Sequence, residues 1–390
     1  MTGESVAGPT VILAPDKFKG SLTAEEASDV LARAINSISP HCRILRHPVA
    51  DGGEGTVKLA LANGFSPVTV QVTGPLGEPV ETTYAMDDAG TAVLELAEAS
   101  GLALLPGKPN VQTAGKSTTR GVGEMLKDAL DRGVRRIILG VGGSASTDGG
   151  AGLAQALGVR ITDATGMEIA PGGESLHSAA QIDLSGLDPR IQAVDLILAC
   201  DVDNPLTGHD GAAAVYGPQK GADARTVEEL ERSLRHWARL VAHTLGSDLS
   251  QVAGTGAAGG AAFAALAIAG ARLCSGVEVL TELTTLGPAL SEADLVIVGE
   301  GSLDEQSLRG KGPVGIAALA KRHGTTVVAV VGRTTLAEAQ TRTAGLDRVY
   351  ALTDFEQLPE VCIREAPRLL GEAAEQIARD WLSETTGVTL

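Results

Sequence analysis

Five apolar runs in this chain each end in a loop that sets carboxylates beside glycines and hydroxyl residues. That recurrence constrains the fold more than any other feature. The clearest case runs from Val134 to Leu139, an apolar stretch with two arginines, into Gly140-Val141-Gly142-Gly143-Ser144-Ala145-Ser146-Thr147-Asp148-Gly149-Gly150. A small-residue helix is predicted to follow over Ala151 to Leu157. A strand, a glycine-rich turn and a helix N-terminus together offer backbone N–H groups and a favourable dipole to an anion. The other four loops carry Asp16, Asp51 with Glu54, Asp201 with Asp203, and Glu300 with Asp304. In open α/β sheets, ligands bind beyond the carboxyl ends of the strands. A doubly wound α/β protein with polar strand ends is therefore the expected class.

The surrounding pattern agrees. Thr10 to Ala14 reads as a buried strand, and Thr23 with Glu26 forms a capping box that opens a helix whose apolar face is Ala27, Val30, Leu31, Ala34 and Ile35. Cys42 to Val49 is a second strand, followed by a helix that ends at Asn63-Gly64. From Pro67 the rhythm changes to alternating strands, Val68 to Val72, Val80 to Met86 and Thr91 to Leu96, with a hairpin turn at Asp87-Asp88-Ala89-Gly90. A helix is predicted over Thr119 to Arg132, a strand over Val194 to Ala199 and a long charged helix over Arg225 to Leu245. The strand-then-loop rhythm resumes at Asp294 to Val298, with strands at Val327 to Val331 and Arg348 to Leu352 and a last helix over Pro359 to Ser383. At 390 residues the chain exceeds one ordinary core. The simplest organisation is one α/β domain made from both ends, 1–66 and 290–390, with a second α/β domain, 67–289, inserted and a site in the cleft.

Charge narrows the partners. The net charge of −17 argues against nucleic acid or an anionic membrane, and 2% aromatic residues leave little for stacking bases. An anionic ligand would need a local exception made of a few lysines, backbone N–H groups or a bridging cation. Cys42, Cys200, Cys274 and Cys362 are far apart with no C-x-x-C, which predicts reduced thiols in a cytoplasmic protein. The first residues show no signal-peptide pattern, and no uncharged run approaches the length of a membrane span.

Several motifs compete for the chemistry. Gly140 to Ala145 fits the Gly-x-Gly-x-x-Ala form of the dinucleotide fingerprint, and Asp163 follows at about the twenty-residue distance that such a site uses. That supports an NAD-dependent hydroxy-acid oxidoreductase. A two-domain cleft would also suit a non-catalytic sensor of nucleotide and small acid. Gly254-Thr255-Gly256-Ala257-Ala258-Gly259-Gly260 opens an alanine-rich helix and offers a second phosphate cradle, or else a close-packing entry to that helix. Ala114-Gly115-Lys116-Ser117 has the tail of a Walker A motif, but Asn110 stands where its first glycine is needed. No H-E-x-x-H or Gly-x-Ser-x-Gly appears. Carboxylates with Lys17 and Lys19 suit Mg²⁺-bridged phosphates and a base that takes a hydroxyl proton, which hydride transfer does not require.

The motifs taken together resemble the bacterial glycerate kinase family, type I. They are Ala14-Pro15-Asp16-Lys17-Phe18-Lys19-Gly20-Ser21-Leu22-Thr23, Ala50-Asp51-Gly52-Gly53-Glu54-Gly55-Thr56, Gly142 to Gly150, Cys200-Asp201-Val202-Asp203-Asn204-Pro205-Leu206 and Gly299-Glu300-Gly301-Ser302-Leu303-Asp304, in order along nearly the whole chain. One departure is visible at Ser117 to Glu124, where Arg120 replaces an aromatic residue and Val122 a hydroxyl. The resemblance implies two α/β domains, one flavodoxin-like, with the active site between them. It also implies ATP-dependent phosphorylation of D-glycerate to 2-phosphoglycerate or 3-phosphoglycerate.

On that reading, the backbone of Gly142, Gly143 and the residues to Ser146, and of Gly254, Gly256, Gly259 and Gly260, contacts phosphate, assisted by Ser144 and Ser146. Lys17 and Lys19 take the glycerate carboxylate or the γ-phosphate. Asp201 or Asp304 is the base, and Asp148 or Glu300 holds Mg²⁺. Asp16, Ser21, Asp51, Glu54, Asn204 and Ser302 complete the binding residues. D-glycerate and ATP are the expected partners, and a homo-oligomer is compatible with the sequence.

Overall fold

The computed structural model describes residues 8–49, 55–305, 307–309 and 312–382. Its strands, in chain order, are β1 (Thr10–Pro15), β2 (Arg43–Arg46), β3 (Ser66–Thr73), β4 (Pro79–Met86), β5 (Thr91–Glu95), β6 (Arg136–Gly140), β7 (Arg160–Thr162), β8 (Gln181–Asp183), β9 (Asp195–Ala199), β10 (Arg272–Cys274), β11 (Leu295–Leu303), β12 (Thr326–Thr334) and β13 (Arg348–Ala351). The chain divides into two compact units, Met1–Asp51 with Leu280–Leu390, and Gly52–Val279.

The unit built from both chain ends carries a five-stranded parallel sheet in the order β13-β12-β11-β1-β2. Counted within the unit from the opposite edge, that order is 2-1-3-4-5, the flavodoxin-like arrangement. Its three central strands are near-continuous aliphatic runs, Val11–Ala14, Leu295–Val298 and Val327–Val331, and all of these residues are buried. Sheets covered on both faces demand that pattern. The helix Ala24–Ile38 begins where expected: the Thr23 hydroxyl accepts from the Glu26 N–H at 3.1 Å, and the Glu26 carboxylate accepts from the Thr23 N–H at 2.9 Å. It lays Ala27, Leu31 and Ile35 in one core with Leu369, Ala373 and Ile377 of the helix Ala366–Trp381. The single C-terminal helix expected over Pro359 to Ser383 is instead two, Pro359–Arg364 and Ala366–Trp381. Pro367 lacks an N–H and its ring crowds the carbonyl four residues back, so the helix restarts there.

In the second unit the sheet order is β10-β9-β6-β5-β4-β3. The four strands from β10 to β5 are parallel, and β4 and β3 are added antiparallel through the predicted hairpin. A separate antiparallel pair, β7 with β8, lies apart from it. Ile137, Leu139, Leu196 and Leu198 of the sheet share a core with Val122, Met125 and Leu126 of the helix Arg120–Asp131. The boundaries differ from the expected 66/67 and 289/290. The helix Thr56–Ala62 belongs to this unit because the Val57 N–H at its start donates to the buried Glu95 carboxylate at 2.7 Å.

Gly123 sits where the helix Arg120–Asp131 presses on the helix Ala151–Ala156. A Cβ there would lie 2.5 Å from the Leu153 carbonyl oxygen and 2.7 Å from the Ala156 methyl. Overpacking of this kind costs on the order of 2–3 kcal/mol. Gly123→Val should therefore lower the free energy of unfolding measured by denaturant titration by that amount, whereas an unchanged value would mean that the two helices do not meet there.

Candidate functional site

In the first unit, β1 and β11 are neighbours with Pro15 opposite Gly299, and the Asp16 N–H donates to the Gly299 carbonyl at 2.8 Å. The strand order reverses at this pair, so the loops after β1 and β11 open a crevice at the switch point. A cavity of about 550 Å³ lies there, and the expected residues Asp16, Lys17, Lys19, Ser21, Glu300 and Ser302 all line it. Phe18 explains the layout of the first loop. Its ring is 2% exposed and belongs to the core, so the lysines on either side stay at the surface. Its N–H donates to the Leu22 carbonyl, while the Ser21 N–H and hydroxyl donate to the Phe18 carbonyl, closing a tight turn.

Arg333, which sequence reasoning missed, is a third cation on the same cavity. It stands opposite Ser302 in the β11–β12 register, and its Nε donates to the Ser302 hydroxyl at 3.3 Å. The far wall is apolar, with Leu352, Pro359, Cys362, Ile363 and Ala366. Asp304 lies beyond this lining, with its N–H donating to the Ser307 hydroxyl at 3.3 Å. Asp51 and Glu54 lie outside the described residues.

The glycine-rich turn of the second unit, after β6, is held from below. Asp148 is 1% exposed, and its two oxygens accept from the Thr119 N–H (2.8 Å), the Thr119 hydroxyl (2.9 and 3.1 Å), the Gly150 N–H (3.0 Å), the Gly152 N–H (3.3 Å) and the Thr118 hydroxyl (3.4 Å). Burial pushes its carboxyl above the usual range, and the hydrogen bonds from Thr119, Gly150 and Gly152 offset only part of that rise. A carboxylate so fully occupied fits a brace rather than the metal ligand expected from sequence.

Lys220, also missed, is equally buried. It closes the turn Pro218–Lys220 and donates from Nζ to the Ser144 hydroxyl at 2.8 Å and to the Ser146 carbonyl at 2.6 Å. Desolvation lowers its ammonium to about 7 against the opposing pull of Asp148.

The segment Gly254 to Gly260 is wholly buried and packs on this same turn. The Gly149 N–H donates to the Gly259 carbonyl at 3.0 Å, and a Cβ on Gly259 would fall 2.0 Å from the Ser146 carbonyl oxygen. The Gly256 N–H is spent on the Asn204 carbonyl at 2.9 Å. These glycines serve close backbone approach, which departs from the expected phosphate cradle. Asn204 is likewise engaged internally, donating to the Asp210 carbonyl at 2.8 Å and accepting from the Tyr216 hydroxyl at 2.6 Å. Asp201 is half-buried after β9 and accepts from the Gly276 N–H at 2.8 Å.

The dinucleotide alternative loses its second half. Asp163 sits at the end of β7, outside the main sheet, and its carboxylate accepts from Thr165 and Met167 of its own turn. Among the described residues no group of three or more His, Cys, Asp or Glu side chains is placed to hold a metal ion. Nor is any described helix long and apolar enough to cross a membrane.

The glycerate kinase family model matches residues 11–382. The chain is 42% identical to a glycerate kinase of Halalkalibacterium halodurans over 371 residues, 95% of this chain and 97% of that protein. It is 42% identical to a glycerate 2-kinase of Escherichia coli over 353 residues, 90% and 92% of the two chains. The fold matches the crystal structure of a candidate glycerate kinase 2 from Salmonella typhimurium with a TM-score of 0.77 at 41% identity, covering 96% of this chain and 98% of that one.

Asp148→Asn tests the brace. An amide in that position turns one acceptor into a donor facing N–H and O–H groups, which costs about 2 kcal/mol. The variant should melt several degrees lower than the wild type, by the same margin with and without Mg²⁺. An unchanged melting temperature, or a margin that appears only with Mg²⁺, would contradict the assignment.

Proposed function

The chain belongs to the glycerate kinase family, and from that premise we propose that it transfers the γ-phosphoryl group of ATP to the 2-hydroxyl of D-glycerate. The observation that carries this reading is the family match over residues 11–382, which takes in all five polar strand ends. Phosphoryl transfer asks a protein mainly for positioning and for neutralisation of charge. The cations Lys17, Lys19 and Arg333 on one cavity suit the carboxylate or phosphate oxygens of the substrates, in a chain whose net charge is −17. Ser144 and Ser146, on the turn after β6, supply hydroxyls for phosphate oxygens.

Mg²⁺ fits this cavity. The ion needs only one or two carboxylates when phosphates and water fill its remaining positions, and Asp16 and Glu300 line the same space as Ser302. When bound there, it would offset the negative charge of the β- and γ-phosphates. Asp201 or Asp304 takes the proton from the attacking hydroxyl. Use of ATP as donor goes with a cytoplasmic location.

A coupled assay tests the function: D-glycerate, ATP and Mg²⁺ should yield ADP. Enolase should then convert the product, since it accepts only the 2-phosphate. ADP release without enolase turnover would move the product to 3-phosphoglycerate, and no ADP release would overturn the reading. Asp201→Asn keeps the oxygen that accepts from Gly276, so it should fold normally while kcat falls on the order of 10²–10⁴-fold. A wild-type kcat would remove Asp201 from the chemistry.

A further inference from the structure

Lys220 has no place in the scheme above, yet it is among the largest side chains in the molecule that are fully buried. A buried ammonium is costly unless the surroundings repay its lost hydration. Two acceptors are supplied, the Ser144 hydroxyl and the Ser146 carbonyl, both on the turn after β6. An ammonium can only donate, so the Ser144 oxygen must accept from it. The Ser144 hydroxyl hydrogen then has to point elsewhere, and among the described residues it meets no acceptor. The hydroxyls of Ser146 and Thr147, next along the turn, are also buried and have no hydrogen-bond partner. The turn thus holds three hydroxyls for which the protein provides no acceptor, above a positive charge.

We propose that Lys220 is a positioning residue for phosphoryl transfer: its ammonium fixes the turn and orients the Ser144 hydroxyl as a donor to a phosphate oxygen. This inference rests on the reading that the turn contacts the transferred phosphate. When protonated, the Lys220 ammonium adds a local positive potential at the turn in a chain of net charge −17. The low Nζ value of about 7 agrees with a group held in place by geometry at the expense of its hydration. Gly217-Pro218-Gln219-Lys220-Gly221 is the local sequence that delivers it, a proline–glycine turn that aims the side chain inward.

The test is a double-mutant cycle on the active enzyme, using Ser144→Ala, Lys220→Met and the pair together. Each single variant should lower kcat/KM for ATP by on the order of 10–100-fold. The pair should be no worse than the poorer single variant by more than about threefold, because both changes remove the same oriented donor. A lysine that only supports the fold would give losses that multiply. Multiplied losses, or a folded Lys220→Met enzyme with wild-type kinetics, overturn the proposal.

If Lys220→Met does not fold by circular dichroism, Lys220→Gln, which keeps a donor without charge, takes its place in the cycle. Failure of both to fold makes Lys220 structural and ends the proposal. Wild-type kinetics for Ser144→Ala would overturn both this inference and the role of the turn, while the kinase reading would stand. Absence of ADP release by the wild type would remove the kinase reading itself, and the inference with it.

Discussion

The second unit depends on what lies under one turn. Between Gly142 and Gly150 the chain has little side-chain bulk with which to hold itself, and glycine carries a high entropic cost of ordering. Asp148 and Lys220 supply the missing constraint, one for each half of the turn. The carboxylate gathers the N–H groups of Thr119, Gly150 and Gly152, which ties the turn to the start of the helix Arg120–Asp131. The ammonium gathers Ser144 and Ser146. Trp237 adds a third tie, with its indole N–H donating to the Gly149 carbonyl at 3.0 Å. Only the glycines Gly142 and Gly143 are left partly exposed on the turn, and their backbone N–H groups suit an anion.

The flavodoxin-like unit solves a different problem with the same ingredients. Its central strands are buried on both faces, so their polar groups emerge at the strand ends, and the reversal of strand order between β1 and β11 keeps the loops there apart. Phe18 anchors one loop in the core and leaves lysines on both sides of it, while Arg333 enters from the next strand. Cations and carboxylates face one cavity, the combination that the proposed substrate anions and Mg²⁺ would call for.

Much of this was legible in the residues. The capping box at Thr23 and Glu26, the aliphatic strands and their polar ends, and the change of rhythm near the first domain crossing all follow from local chemistry. So did the six residues from Asp16 to Ser302 that share one cavity. What escaped depended on partners remote in sequence. Glycines that open a helix look alike whether they cradle phosphate or admit a neighbouring backbone, and only the Ser146 carbonyl against Gly259 decides the case. Asp148 among hydroxyls reads equally as ligand or brace until Thr119 is beside it. Lys220 gave one local sign, a lysine inside a Gly-Pro…Gly turn, but its value lies in Ser144, far earlier in the chain. Arg333 was hidden at the end of a strand whose pattern speaks only of burial.

The central claim is that the turn after β6 is built before any ligand arrives, by groups beneath it. Amide hydrogen exchange across residues 142–150, with and without Mg²⁺ and ATP, measures that most directly. The account predicts strong protection already in the free protein, comparable with β6 itself, and little further slowing on addition of nucleotide. Rapid exchange in the free protein, with protection gained only on binding, would show that the ligand orders the turn and would contradict it.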